Sequence, residues 1–245
     1  MPNLGKRSRG YIAALTLVAT GVCWADPYIG EVEAHAGRVD ANSNTNYIGG
    51  SATLYLQAVD TTGLPLAEAA FLNRATDIYA YLTFFDSDYD DGQNMGVGGE
   101  VYFPHTMFYA AASFNRTDAD SGKNDSWTIT GGITPAENLR LTTSYTEDAG
   151  YDPNIDAKYV LLLPGEQSLN LEAGFYDDDV NSYNAGFDFY LNNSTSAGAA
   201  LSDSGSQTSY TFRGRHFFNP SFYVDAQYTT ADSSDEVTVK AGLRF

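Results

Sequence analysis

The chain has 245 residues, with 13 Lys and Arg against 31 Asp and Glu, a net charge of −18, and a charged fraction of only 18% beside 14% aromatic residues. A pI near 4.2 leaves no basic stripe to meet phosphate, which excludes nucleic acid as a partner, and 43% hydrophobic residues are too many for a disordered acidic tail. A mean hydropathy of −0.29, with no apolar run of about 18 residues, excludes a polytopic helical transporter; 18 Tyr, 14 Phe and 23 Gly favour pleated, aromatic-rich strands.

Residues 1–25 read as a secretory leader: a basic start at Lys6, Arg7 and Arg9, an apolar stretch from Tyr11 to Ala19, and a small residue, Ala25, before Asp26. The apolar stretch is about half a membrane-spanning length, so an anchor fits poorly. Cleavage would remove three basic residues, take the net charge from −18 to −21, and discard the single cysteine, Cys23. The exported chain would then hold neither a disulfide nor a thiolate metal site.

From Asp26 onward, stretches of about ten residues alternate apolar and polar side chains, the period of a strand with two different faces. They fall near 28–38, 47–59, 76–86, 95–103, 107–117, 125–134, 138–147, 154–163, 167–177, 181–191, 195–202, 208–218, 221–231 and 235–245. That is about fourteen strands, within a range of twelve to sixteen set by the small and polar stretch at 195–202. The one helix-period segment is PLAEAAFLN at 65–73. Connections alternate in kind: short ones near Pro104, Pro135, Pro164, Asn192 and Asn219, and acidic ones near Asp86, Asp118, Glu147, Asp177, Ser202 and Asp232. An up-and-down meander with short turns on one side and polar loops on the other has this form. No shift in composition divides residues 26–245 into domains.

The apolar face could turn inward in a soluble sandwich or outward to lipid in a membrane barrel. Aromatic placement favours the barrel. On the apolar face Phe103, Phe108, Phe189, Phe218, Phe222 and Phe245 gather at the short-turn end; Phe84, Phe114, Trp127, Tyr145, Phe175, Tyr183, Tyr210 and Tyr228 gather at the loop end. Mostly small and aliphatic residues lie between, as in the paired girdles of an outer-membrane barrel. The expected fold is therefore all-β: a single antiparallel up-and-down transmembrane barrel of about fourteen strands, with short periplasmic turns and acidic outer loops.

The segment GLPLAEAAFLNRATDIYAYL at 63–82 resembles the G-P-L-x-E-A-A-F-L-x-R segment of the general bacterial porins, with Leu64 inserted before Pro65. The resemblance implies a Gram-negative outer-membrane barrel with diffusion-pore activity and transfers no catalytic or substrate-binding residue. Phe245, ending the last strand, resembles the signal read by the barrel-assembly machinery. From the residues, Ala67 to Leu72 forms either one helical turn on the periplasmic side or an ordinary long turn.

Inward parity assigns Glu31, Glu33, Glu100, Asp156, Glu172, Asp188 and Asp225 to the lumen, with Arg140, Lys158, Arg213, Arg215, Lys240 and Arg244. The interior is nearly neutral and the excess negative charge lies in the loops. Two arrangements are open. Arg213, Arg215, Lys240 and Arg244 could face Glu100 and Glu172 across the pore and set up a transverse field. Alternatively Glu31 and Glu33 pair with Lys240 and Arg244 across the closing seam, while Asp225 bridges Arg215 and Lys240.

Other chemistry finds little support. DSDYDDG at 86–92 places glycine seventh, where a calcium loop needs it sixth, and no glutamate follows at twelve. Of three histidines, His105 sits in a turn, His216 points outward, and His35 points inward beside Glu31 and Glu33; there is no G-x-S-x-G and no H-E-x-x-H. The expected protein is no enzyme and needs no metal or cofactor. It is a narrow pore for passive diffusion of small hydrophilic solutes and ions in the bacterial outer membrane, contacting lipid and lipopolysaccharide. The alternative is a non-conducting structural or adhesive barrel. Short outer loops argue against a long loop folded into the pore.

Overall fold

The computed structural model describes residues 27–147, 154–177 and 181–245, so the leader and parts of two acidic connections lie outside the described residues. Fourteen strands follow in order: β1 (Tyr28–Asp40), β2 (Thr45–Val59), β3 (Asp77–Ser87), β4 (Asp91–Tyr102), β5 (Phe108–Ala119), β6 (Gly122–Ala136), β7 (Leu139–Thr146), β8 (Asn154–Leu162), β9 (Ser168–Tyr176), β10 (Ser182–Asn192), β11 (Thr195–Asp203), β12 (Thr208–Asn219), β13 (Phe222–Ala231) and β14 (Ser234–Arg244). Each pairs with its chain neighbours, and β1 pairs with β14, so the sheet is a closed antiparallel barrel without a free edge. A two-sheet sandwich is thereby excluded.

Several strands extend further at the loop end than alternation reaches. β4 begins at Asp91, opposite Asp86, and β6 begins at Gly122, opposite Ala119. Beyond the apolar band both faces of a hairpin meet water, so the ladder continues while the sequence pattern that reports it fades. The small and polar stretch at β11 forms a full strand, pairing from Thr195 with His216 to Asp203 with Thr208.

The outer face is apolar, with Leu56, Phe108, Ile129, Ile155, Phe212, Phe218 and Val237 all more than half exposed or nearly so. At the loop end Phe114 faces Trp127 across the ladder, and the Trp127 and Tyr145 rings lie 5.3 Å apart. At the short-turn end Phe218 stacks on Phe222 at 5.4 Å. A face this apolar is a membrane interaction surface rather than a water-facing one.

The buried apolar clusters lie inside the barrel, at the short-turn end. Tyr28, Val59, Ala69 and Ala75 form one, with Tyr55 and Ala70 against it; Leu66, Phe217 and Tyr223 form another, with Ala67. Both join the inner wall to the β2–β3 connection. That connection holds a 3₁₀ turn at Leu66–Glu68 followed by one α-helical turn, α1 (Ala69–Leu72). Pro65 precedes the turn in extended conformation and has no N–H to leave unsatisfied.

Candidate functional site

The β2–β3 connection runs across the short-turn end of the lumen. The Leu66 amide donates to the Asn193 carbonyl at the β10–β11 turn (2.8 Å), and Arg244 Nη1 of β14 donates to the Leu66 carbonyl (2.8 Å). On the far side Arg74 donates to the carbonyls of Thr134 (3.4 Å) and Ala136 (2.9 Å), at the β6–β7 end. Between these ties Glu68, 5% exposed, meets Lys158 Nζ at 2.9 Å and accepts from the Tyr190 hydroxyl at 2.7 Å. Phe71 lies under two cations, Arg140 at 5.5 Å and Lys158 at 5.2 Å. The segment is therefore the helical turn, not the ordinary long turn, and it sits inside the barrel at the short-turn end. Short outer loops do not prevent this plug, because the intruding connection belongs to the opposite end of the barrel.

Glu68 is the site residue that sequence reasoning missed. A signal was present. PLAEAAFLN is the one helix-period stretch, and the inward positions nearest the short turns depart from polarity at Val59, Tyr102, Tyr109, Val160, Tyr190, Phe217 and Tyr223, all 7% exposed or less. Apolar side chains on a face expected to meet water need a covering element.

The thirteen charged residues given inward parity fall into local groups. Arg244, 4% exposed, donates from Nε to Glu31 (2.5 Å), and Lys240 Nζ lies 3.9 Å from Glu33 across the β1–β14 seam. Arg215 bonds Asp225 at 3.0 Å. Arg213 grips Asp188 with two bonds, 2.6 and 2.7 Å, and passes within 3.7 Å of Glu172. Lys158 joins Glu172 to Glu68 at 3.0 and 2.9 Å. Arg140 binds Glu100 at 3.0 Å, and Asp156 accepts from the Tyr176 hydroxyl at 2.6 Å. The seam pairing is as expected from the ladder.

Two details differ. Glu100 does not face the strand-twelve and strand-fourteen cations across the lumen, because Arg140 and the Tyr109 hydroxyl hold it from two strands nearby. Lys240 is Asp225's partner in register, yet Asp225 takes its 3.0 Å hydrogen bond from Arg215 alone. Arginine presents several donors in a fixed fork and lysine a single point, so the arginine takes the shared carboxylate.

Toward the loop end the inner wall becomes mostly uncharged and hydroxyl-rich. Thr128 bonds Thr146 and Thr130 bonds Ser144, both at 2.9 Å, Thr211 bonds Thr229 at 3.0 Å, and the Tyr81 hydroxyl donates to Asn115 at 2.6 Å. His35 Nε2 lies 3.0 Å from Thr83 Oγ1, but the Glu33 carboxylate is 4.0 Å from Nδ1, too far to orient the ring as a relay requires. Among the described residues no group of three or more His, Cys, Asp or Glu is placed to hold a metal ion.

A polar interior, an apolar girdled exterior and a closed even-stranded meander are the physical marks of a membrane barrel, and comparison with known proteins gives it a family. The model of the family described as "Putative general bacterial porin" matches residues 12–148 and 133–245. The chain belongs to this porin family. Among solved structures the porin is similar to the outer membrane protein Omp33 of Acinetobacter baumannii, with 27% identity, a TM-score of 0.77, and 89% of this chain and 99% of that one covered. A KdgM porin in complex with disordered oligogalacturonate also matches, at 8% identity and a TM-score of 0.48, covering 88% and 99%. A Rhodopseudomonas blastica porin triple mutant matches at 10% identity and 0.44, with the same coverage. No curated protein matches the chain. Family and fold together place the porin in the outer membrane, among barrel proteins of the channel type.

Proposed function

We propose that the porin passes small hydrophilic solutes and ions down their gradients through a narrow, water-filled lumen. The carrying observation is the wall itself. The interior of a fourteen-stranded barrel is wider than side chains alone would fill, and its inner face is hydroxyl-rich near the loops and ion-paired near the short turns. The thirteen charged residues grouped above are assigned as lining of that path. Because they pair locally, we expect weak intrinsic ion selectivity, with the acidic loops adding a cation preference at the mouth. Residues 1–25 serve as a cleaved leader and Phe245 as the contact of the assembly machinery; the outer face meets lipid and lipopolysaccharide.

The segment from Leu66 to Leu72, seated across the lumen, favours a second reading, a barrel closed at rest or permanently structural. Planar-bilayer recording on purified, refolded mature protein separates the two. Stable conductance steps support the pore, and a salt-gradient reversal potential gives its selectivity. Silence from a preparation shown to be folded supports the closed barrel.

A further inference from the structure

A hollow of about 260 Å³ lies above the crossing segment, with Ala67 and Glu68 among its lining residues and the inner faces of β8 to β14 around it. Its acids and bases balance in number, and on both sides part of the hydrogen-bonding capacity is unspent, Asn170 Oδ1 having no partner among the described residues. Both oxygens of Glu68 are engaged, by Tyr190 and Lys158, and both of Asp188 are engaged by Arg213.

Three donors facing the hollow are also left largely unused. Arg215 spends Nε on Asp225, and among the described residues neither of its terminal nitrogens has an acceptor. Lys240 makes no hydrogen bond there, its nearest carboxylate being Glu33 at 3.9 Å. The Gln227 amide has only a 3.3 Å contact to Thr229.

These three donors converge by register. Arg215 faces Asp225, Asp225 faces Lys240, and Gln227 lies two residues along β13 on the same face. Two cations flank one carboxylate, and that carboxylate is buried (6% exposed) while the cations are about a third exposed, at 29% and 34%. With Glu33 beside Lys240 and Asp225 beside Arg215 the group carries no net charge, and what it presents to the hollow is unspent N–H groups.

We infer that Arg215, Lys240 and Gln227 form a subsite for a small organic monoanion of the carboxylate class. The free edge of the Arg215 guanidinium matches the two oxygens of a carboxylate, and Lys240, ion-paired with Glu33 only at 3.9 Å, adds an ammonium donor that makes no hydrogen bond of its own. This deepens the pore reading by naming a solute class, and it rests on that reading only for what happens after binding.

The test is equilibrium binding of trifluoroacetate to the refolded mature protein in detergent at low chloride, read from fluorine line broadening. Saturable broadening, displaced by acetate and not by acetamide, is the expected result. Lys240→Gln weakens the binding about fivefold, the worth of one partly exposed charge, without altering the folded-barrel gel shift. Arg215→Lys keeps the charge and loses the fork, and weakens it as well. Absence of saturable broadening, equal displacement by acetamide, or unchanged binding in Lys240→Gln would each overturn the subsite. Conductance steps without anion binding would leave the pore reading standing and remove only the subsite; binding without steps would do the reverse.

Discussion

Arg244 and Leu66 are 178 positions apart in sequence, yet the Arg244 guanidinium donates to the Leu66 carbonyl at 2.8 Å while its Nε holds Glu31 at 2.5 Å. One side chain therefore ties the closing seam of the barrel to the segment that crosses it. Its charge is sandwiched by the rings of Tyr28 and Phe217, 4.5 and 4.6 Å away.

Arg244→Met should uncouple the two. It leaves Glu31, which retains the Tyr223 hydroxyl at 2.9 Å, without its buried cation, and the Leu66 carbonyl without its donor. Removing one partner of a buried pair costs about 3–5 kcal/mol, and the chemical-denaturation midpoint in lipid should fall accordingly. Arg244→Lys restores the charge without the second donor and should recover part of the loss. A Met variant as stable as the parent would show that the seam closes without this contact.

Tyr223 offers a separate check on the seam. Its ring lies over Gly242 on β14, where a Cβ would collide with the ring carbons, and its hydroxyl reaches Glu31 and Glu33 at 2.9 and 3.0 Å. Gly242→Ala must displace the ring and lose those bonds, a cost of about 1–3 kcal/mol typical of overpacking. Gly131→Ala is the control, since an added Cβ there meets nothing within 4 Å. Denaturation midpoints should fall for the first and stay unchanged for the second.

What the sequence made legible follows from where the solvent boundary is sharp. Between the girdles one face meets lipid and the other polar groups, so alternation located all fourteen strands, and parity alone brought Glu31 to Arg244 and Glu33 to Lys240 across a seam that joins the chain ends. Alternation fades where both faces are wet, as at Asp91 and Gly122, and it says nothing of a segment that leaves the sheet. The seat of Glu68 depends on contacts with Lys158 and Tyr190, which lie far along the chain, and no local periodicity encodes them. The choice of Arg215 over Lys240 for Asp225 is likewise a matter of side-chain geometry, invisible to parity.

The neck of the crossing segment should respond to acid. Asp60 accepts the Thr62 amide at 2.9 Å, and that bond, followed by one from the Thr62 side chain, holds its carboxyl below the ordinary carboxylate range. A depressed folded pKa contributes stability above the unfolded value, near 4, that is lost as pH falls through the lower folded value. The Asp60 main chain is also clasped by Asn73, through Nδ2 to the Asp60 carbonyl at 2.8 Å. Amide hydrogen exchange at Thr62 and Leu64, corrected for intrinsic rate, should therefore quicken below about pH 4, and Asp60→Asn should remove most of that dependence. A flat profile in the parent chain would count against this role.

The crossing segment also decides what a conductance trace should look like. If passage requires its displacement, then each ~1.4 kcal/mol of seating energy removed raises the open population about tenfold while the closed state dominates. Glu68→Gln keeps the volume and the Tyr190 contact but gives up the charge facing Lys158, which still has Glu172 at 3.0 Å. Phe71→Ala removes the ring beneath Arg140 and Lys158. Both variants should lengthen open dwell times and leave the fully open step size unchanged, because neither touches the wall near the loops. An unchanged dwell time in the double variant, with steps present, would mean that solutes pass beside a segment that stays in place. A rise in step size without a change in dwell time would mean that the segment narrows a permanently open path.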